Sequence, residues 1–191
     1  MRRGEICGLR WSDIDFNAST ISVNRTVEYI PHEGLIFTAP KTKASNRTFK
    51  VGANCMDMLR EYQLYQKAER LRVGSMWART VQVENGKTVQ NDLLFTSWDG
   101  TPFDLERLTT WFPHFLRAHD LPPVHFHSLR HTYASLMIAA HVPITTVSGR
   151  LGHAQTSTTT DIYAGFIRTA DAAASDAMEI VFDNIREKSR A

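Results

Sequence analysis

Apolar and polar positions along the chain change period several times, and the changes divide it into elements. From Arg2 to Leu9, Ile6, Cys7 and Leu9 supply the apolar side of a short helix that Trp11 closes, and Ser12 to Asp15 is turn chemistry. Thr20 to Ile30 is rich in β-branched residues and alternates, which predicts a strand broken by Pro31 to Gly34. Leu35 to Ala39 and Arg47 to Val51 read as two more strands. The three together predict an antiparallel meander whose second turn runs from Lys41 to Asn46.

Helical spacing then takes over. Leu59, Tyr62, Leu64, Tyr65 and Leu71 predict an amphipathic helix from about Asn54 to Leu71, ended by Gly74. Residues 75 to 91 are weakly patterned and read as an insertion or loop holding at most a short hairpin, and Leu93 to Thr96 is extended. Asp104 is the expected N-cap of a helix reaching His119, with Trp111, Phe112, Phe115 and Leu116 as its buried face. Leu121 to Pro123 breaks it. A further helix is predicted from Ser128 to Ala140, and another from Pro143 through Arg150 with Gly152 as its C-terminal cap. A polar run then leads into a helix holding Tyr163, and Thr169 to Arg190 is an alanine-rich helix with an apolar stripe at Met178, Ile180, Val181 and Ile185. The expected architecture is a mostly helical α+β domain with one small three-stranded antiparallel sheet.

Composition narrows this picture only a little. With 191 residues and 42% apolar content the chain is long enough for one real core, and a net charge of +2 says little about partners. Cys7 and Cys55 sit in apolar surroundings with no C-x-x-C spacing and read as reduced core residues of a cytoplasmic protein. No apolar run is long enough to span a membrane. Seven of the eight histidines lie between His114 and His153, and His125, His127 and His131 have ligand-like spacing. No carboxylate or cysteine completes a metal shell there and Arg130 sits on the same turn, so no metal and no cofactor are expected.

The chemistry is concentrated between His127 and Tyr163. An H-x-x-R pair (His127, Arg130), His131, His153 and Tyr163 follow one another, with Arg2 and Lys41 upstream. A phosphodiester gains negative charge on its equatorial oxygens when a nucleophile adds, so without a metal the protein must supply fixed cations. Arg2 and Arg130 suit a bidentate clamp, and His127 and His153 can donate or move protons near neutral pH. Tyr163 is the candidate nucleophile, its phenol needing cations or a base to react well below its ordinary pKa of about 10. Lys41, on a turn, is placed to protonate a leaving 5′ oxygen. Lys41, Lys43, Arg47 and Lys50 form a ridge without acids that suits phosphate contact equally as well as edge protection. The amides at the start of the Ser128 helix would favour an anion beside His127 and Arg130.

These boxes resemble the catalytic domain of the tyrosine recombinases, the phage and conjugative-element integrases. The matching pieces are Arg2-Arg-Gly-Glu5 followed by Leu9-Arg-Trp11-Ser-Asp13-Ile, the lysine turn Pro40-Lys41 to Arg47, His127-Ser-Leu-Arg130-His131, Leu151-Gly152-His153 and Asp161-Ile-Tyr163. The resemblance covers nearly the whole chain. It implies that Arg2 and Arg130 clamp the scissile phosphate, His127 accepts a proton, His153 donates to the phosphate, Lys41 is the general acid and Tyr163 attacks. Glu5 and Asp13 would be supporting residues, with Lys43, Arg47, His131 and Arg150 on DNA. The implied reaction is transesterification through a covalent 3′-phosphotyrosine on double-stranded DNA, by a homo-oligomer, a tetramer, in the cytoplasm of a bacterial or phage-infected cell.

The family has further helices ahead of the arginine box, so residues 1–191 are expected to be a catalytic domain shortened at its N-terminus. Residues 168–190 are expected as a C-terminal helix, which the resemblance implies docks on a neighbouring protomer and which packing on its own domain would explain equally. Two alternatives share these features. The helices from Ile144 to Phe166 could be a helix-turn-helix reader in a fragment that binds DNA without cutting it, and a type IB topoisomerase would use the same chemistry.

Overall fold

The computed structural model describes residues 1–40, 42–83, 86–157, 159, 160 and 163, with the backbone but not the side chain of Lys43. It divides into two compact units, Met1–Arg130 and His131–Ala191.

In the first unit, helix α1 (Arg3–Cys7) is followed by a single turn of 3-10 helix at Trp11–Asp13. Strands β1 (Ile14–Asp15), β2 (Thr20–Val23) and β5 (Arg47–Lys50) form a three-stranded antiparallel sheet in the order β1-β2-β5. Strands β3 (Thr26–Ile30) and β4 (Gly34–Thr38) pair with each other in a separate sheet, with Thr26 opposite Thr38 and Ile30 opposite Gly34, and Phe37 of β4 makes a single bridge to Val83. The expected meander is therefore corrected. Residues 20 to 30 are two strands of two sheets, and Arg47 to Lys50 pairs with Thr20 to Val23 rather than with β4. Asp13 explains the break. Buried at 7% exposure, its carboxylate accepts from Asn24 Nδ2 at 3.0 Å, from Arg10 N–H at 2.8 Å and from Arg25 Nη1. Asn24 and Arg25 are turned to that carboxylate instead of continuing the pleat.

Helix α2 (Ala53–Val73) ends at Gly74, whose φ of +62° is the left-handed region that glycine adopts without a side-chain clash. Its buried side is narrower than the sequence suggests. Met56 and Val73 are buried, whereas Leu64, Tyr65 and Leu71 of the predicted stripe are exposed. The reason lies in what α2 packs on. Gln66 accepts from Trp11 Nε1 at 2.7 Å and donates to the carbonyls of Leu93 and Leu94 at 3.2 and 2.9 Å. The helix is thus anchored along the strip where Leu9 to Trp11 meets Asp92 to Leu94, joined by Trp11 N–H to Asp92 O and Leu94 N–H to Leu9 O. Among the described residues, Leu64, Tyr65 and Leu71 on its other sides are left exposed.

The weakly patterned insertion holds a short hairpin of β6 (Thr80–Gln82) and β7 (Thr88–Gln90). Helix α3 (Leu105–Ala118) starts at Asp104, whose side chain accepts from Glu106 N–H at 2.9 Å as expected of an N-cap. Phe112 and Leu116 are buried, but Trp111 is half exposed and its ring lies tilted against Phe115 with centroids 4.9 Å apart, so the predicted four-residue face is really two. Two apolar clusters hold this unit together. One gathers Cys7, Val27, Phe37, Val81, Leu93 and Leu105, and the other Leu9, Ile14, Ile21, Met56 and Leu94.

Helix α4 (Ser128–Ala139) contains the division between the units. In the second unit it is followed by α5 (Ile144–Leu151). Ala134, Ile138, Val147, Leu151 and Tyr163 form this unit's core. The helix expected at 169–190 lies outside the described residues.

Candidate nucleic-acid interface and nucleophile

Arg2 and Glu5 are placed by a close approach of backbones. Helix α1 packs against β3 at Gly4, where an added Cβ would stand 2.6 Å from the Val27 carbonyl oxygen and 2.5 Å from Thr26 Oγ1. Only glycine lets α1 sit there. One turn of helix then brings Glu5 back to Arg2, whose N–H donates to its carboxylate at 2.7 Å and whose Nη1 donates at 3.0 Å.

Arg47, at the start of β5, reaches the same carboxylate with both prongs, at 3.1 and 2.8 Å. Burial by itself would raise the pKa of Glu5, but the hydrogen bonds from Arg47 and Arg2 prevail and hold it at about 2. Arg47 is thus a buried partner of Glu5, its side chain 8% exposed, where the sequence suggested an exposed ridge. The Arg2 side chain remains 44% exposed.

Arg130 belongs to the same neighbourhood. The buried Met1 amino group is held at about 6, first by loss of hydration and then by the charge of Arg130, with Arg47 and Arg2 adding to it and Glu5 opposing. Two guanidinium groups, Arg2 and Arg47, therefore share one carboxylate, and the charge of a third, Arg130, reaches the adjoining Met1 amino group. Arg130 itself is buried at 7% exposure. Arg3 points elsewhere, to Thr109 Oγ1.

Beside this cluster opens a cleft of about 1300 Å³ whose wall includes Arg2, Arg3, Tyr29, His125 and His127. His127 is exposed there, immediately ahead of α4. The start of α4 differs from expectation. The N–H groups of Ser128, Leu129 and Arg130 already bond to the carbonyls of His125, Phe126 and His127, at 2.9, 3.3 and 3.0 Å. A tight preceding turn consumes them, so the side chains of this end, not its amides, are what an anion would meet.

In the second unit the Leu-Gly-His box is a helix terminus. Leu151 is buried, Gly152 takes the left-handed conformation (φ +69°, ψ +41°), and His153 N–H bonds to Ser148 O at 3.2 Å. The chain reverses so that His153 Nδ1 lies 2.7 Å from Thr159 Oγ1, which is fully buried and orients the imidazole ring. Tyr163 is 4% exposed, and its hydroxyl lies 2.9 Å from His131 Nδ1. Arg150 donates through Nε to the Tyr133 hydroxyl at 3.0 Å.

The structure thus brings Arg2, Glu5, Arg47 and Arg130 together in one unit and His131 with Tyr163 in the other. Asp13 stands apart from the arginine cluster and braces the break between β2 and β3. Lys41 lies outside the described residues, as does the side chain of Lys43. Sequence reasoning missed Thr159, Gly4 and the pairing of Arg47 with Glu5. Gly4 inside a predicted helix was the one available signal; nothing marked Thr159 among its threonine neighbours. Among the described residues, no three His, Cys, Asp or Glu side chains group closely enough to hold a metal ion, and no helix is long and apolar enough to cross a membrane.

Small antiparallel sheets among helices define a tyrosine recombinase catalytic-domain fold. The chain belongs to the phage integrase family, whose model matches residues 1–166. It is 34% identical over 175 residues to a tyrosine recombinase XerC-like protein of Caldanaerobacter subterraneus subsp. tengcongensis, covering 87% of this chain and 43% of that protein. It is 26% identical to the ICEBs1 integrase of Bacillus subtilis, covering 85% of this chain and 41% of that one. The chain therefore spans less than half the length of these curated relatives. Among solved structures, the Tn1549 transposon integrase in complex with transposon right end DNA has the same fold. It matches 85% of this chain and 50% of its own with a TM-score of 0.69 at 19% identity. The XerA recombinase matches 91% of this chain and 53% of its own, with a TM-score of 0.60 at 23% identity.

Proposed function

We propose that this chain is the catalytic part of a site-specific DNA recombinase that cleaves and rejoins strands through a covalent 3′-phosphotyrosine. The observation that supports this most directly is the buried Glu5 carboxylate that holds both Arg2 and Arg47, with the charge of Arg130 acting on the neighbouring Met1 amino group. A phosphodiester reaching that cluster would meet guanidinium forks already oriented by a buried carboxylate, so little reorganisation accompanies charge development. Membership of the phage integrase family supports the same reading.

In this mechanism Arg2 and Arg130 hold the non-bridging oxygens of the scissile phosphate, His127 and His153 donate further hydrogen bonds to them, and Tyr163 attacks the phosphorus. Lys41 protonates the departing 5′ oxygen. Glu5 and Arg47 brace Arg2, and Asp13 supports the fold at the break between β2 and β3. Lys43 and Arg150 contact the DNA backbone. The partner is double-stranded DNA bound by several copies of the chain, and the chemistry uses no metal or other cofactor because arginines carry the charge.

The test is incubation of the chain with a random pool of nicked duplexes in EDTA, quenched in detergent, with recovery and sequencing of protein-linked DNA. Wild type should yield adducts joined at Tyr163, and Tyr163→Phe none. Adducts that survive Tyr163→Phe would reject the mechanism. Binding without any adduct would leave a DNA-binding module, and relaxation of supercoiled plasmid without exchange between sites would indicate a topoisomerase.

A further inference from the structure

The hydroxyl of Tyr163 is the atom that must lose a proton as it attacks, and a basic nitrogen, His131 Nδ1, lies 2.9 Å from it. We infer that His131, rather than His127, is the base that takes the Tyr163 proton; this rests on the phosphotyrosine mechanism above. His127 is the first histidine of the H-x-x-R box and lies exposed at the cleft with Arg2. His131 is one residue past Arg130, in the first turn of α4, and only partly exposed.

Packing makes the contact durable. The ring of Tyr163 is buried with Ala134, Ile138, Val147 and Leu151, so the side chain that must react is held by the same core that holds α4. Ala134 follows His131 by three residues and Ile138 by seven, which puts all three on one side of the helix. The face of α4 that buries the tyrosine is therefore the face that presents the imidazole. His131 Nδ1 accepts only in the tautomer that carries its proton on Nε2.

The step balances without any outside reactant. The phenolic O–H bond breaks and its proton goes to Nδ1 while the Tyr163 Oη–P bond forms. The P–O5′ bond breaks and the 5′ oxygen takes a proton from the general acid. In rejoining, the 5′ hydroxyl attacks and its O–H proton returns to the conjugate base of the general acid while the P–O5′ bond forms; the Oη–P bond breaks, and the imidazolium returns its proton to the phenolate. His131 ends each cycle neutral.

The experiment uses a duplex recovered as a covalent adduct from the nicked pool, under single-turnover conditions from pH 6.5 to 9.5, with wild type, His131→Ala, His131→Gln and Tyr163→Phe. Loss of a general base is worth about 10²–10⁴-fold. His131→Ala should therefore cleave slower by such a factor at pH 7. The deficit should shrink steadily towards pH 9.5 as hydroxide comes to ionise the phenol, and added imidazole should restore part of the rate. His131→Gln, which keeps a hydrogen bond but no basic nitrogen, should stay slow at pH 7. Unchanged DNA affinity and melting temperature would separate this from misfolding. Cleavage by His131→Gln within threefold of wild type, or a deficit equal at pH 7 and 9.5, would overturn the assignment. Adducts that persist in Tyr163→Phe would instead reject the underlying mechanism, a result independent of the His131 variants.

Discussion

Replacing Glu5 by Gln removes the one negative charge inside the arginine cluster while keeping its size and one carbonyl oxygen. The Glu5 carboxyl is held at about 2 against an ordinary value of 4.5. At neutral pH that shift corresponds to at most about 3 kcal/mol of folding stability, since each unit is about 1.4 kcal/mol. The sign follows from the direction. A carboxyl whose folded pKa is depressed stabilises fully above about pH 5 and loses its contribution as pH falls towards 2. At pH 3 roughly 1 kcal/mol should remain. Glu5→Gln has no such titration, so the stability difference between wild type and variant should narrow by about 2 kcal/mol between pH 6 and pH 3. Urea unfolding followed by circular dichroism at those two pH values, with the slopes compared for two-state behaviour, measures this directly. A gap that stays constant across the range would show that the charge of Glu5 contributes nothing and would refute the account of how Arg2 and Arg47 are held. At neutral pH the variant should also bind DNA with less discrimination in geometry, seen as slower adduct formation with affinity little changed.

Other tests reach different parts of the molecule. Cys7 is buried and its thiol pushed up to about 11, chiefly by loss of hydration, whereas Cys55 is exposed; a thiol reagent at pH 8 should titrate one cysteine in the native chain and two after unfolding. Gly4→Ala sets a methyl against the Val27 carbonyl and should cost about 1–3 kcal/mol, read as a lower urea midpoint. Lys41→Ala should slow cleavage of a normal duplex but not of one with a 5′-thiolate leaving group, and equal losses on both would reject its role as general acid. DNA affinity should fall steeply with salt, on a log–log plot linear in the number of phosphates contacted; an affinity indifferent to salt would argue against a phosphate clamp.

What sequence alone determined was the identity of the elements and the chemical boxes. Helices α3, α4 and α5 fall where the apolar spacing puts them, Asp104 and Gly152 cap them as their types suggest, and the arginines, histidines and tyrosine are legible because such chemistry needs those side chains in order. These are local facts, set by backbone sterics and by the few residues that can end a helix or bind a phosphate. Tertiary structure decided how the strands pair and which side chains meet. Residues 20 to 30 look like one strand until Asp13, several residues away, draws Asn24 and Arg25 out of the pleat. Arg47 looks like a surface cation until a buried carboxylate 42 positions earlier in the chain occupies it. The same holds for α2, where the covered face depends on Leu93 and Leu94, and for Tyr163, whose hydroxyl partner lies 32 residues upstream. Propensity and periodicity act over a helical turn or a strand, whereas desolvation and ion pairing depend on which distant groups the fold brings within 3 Å or so, and no local pattern records that.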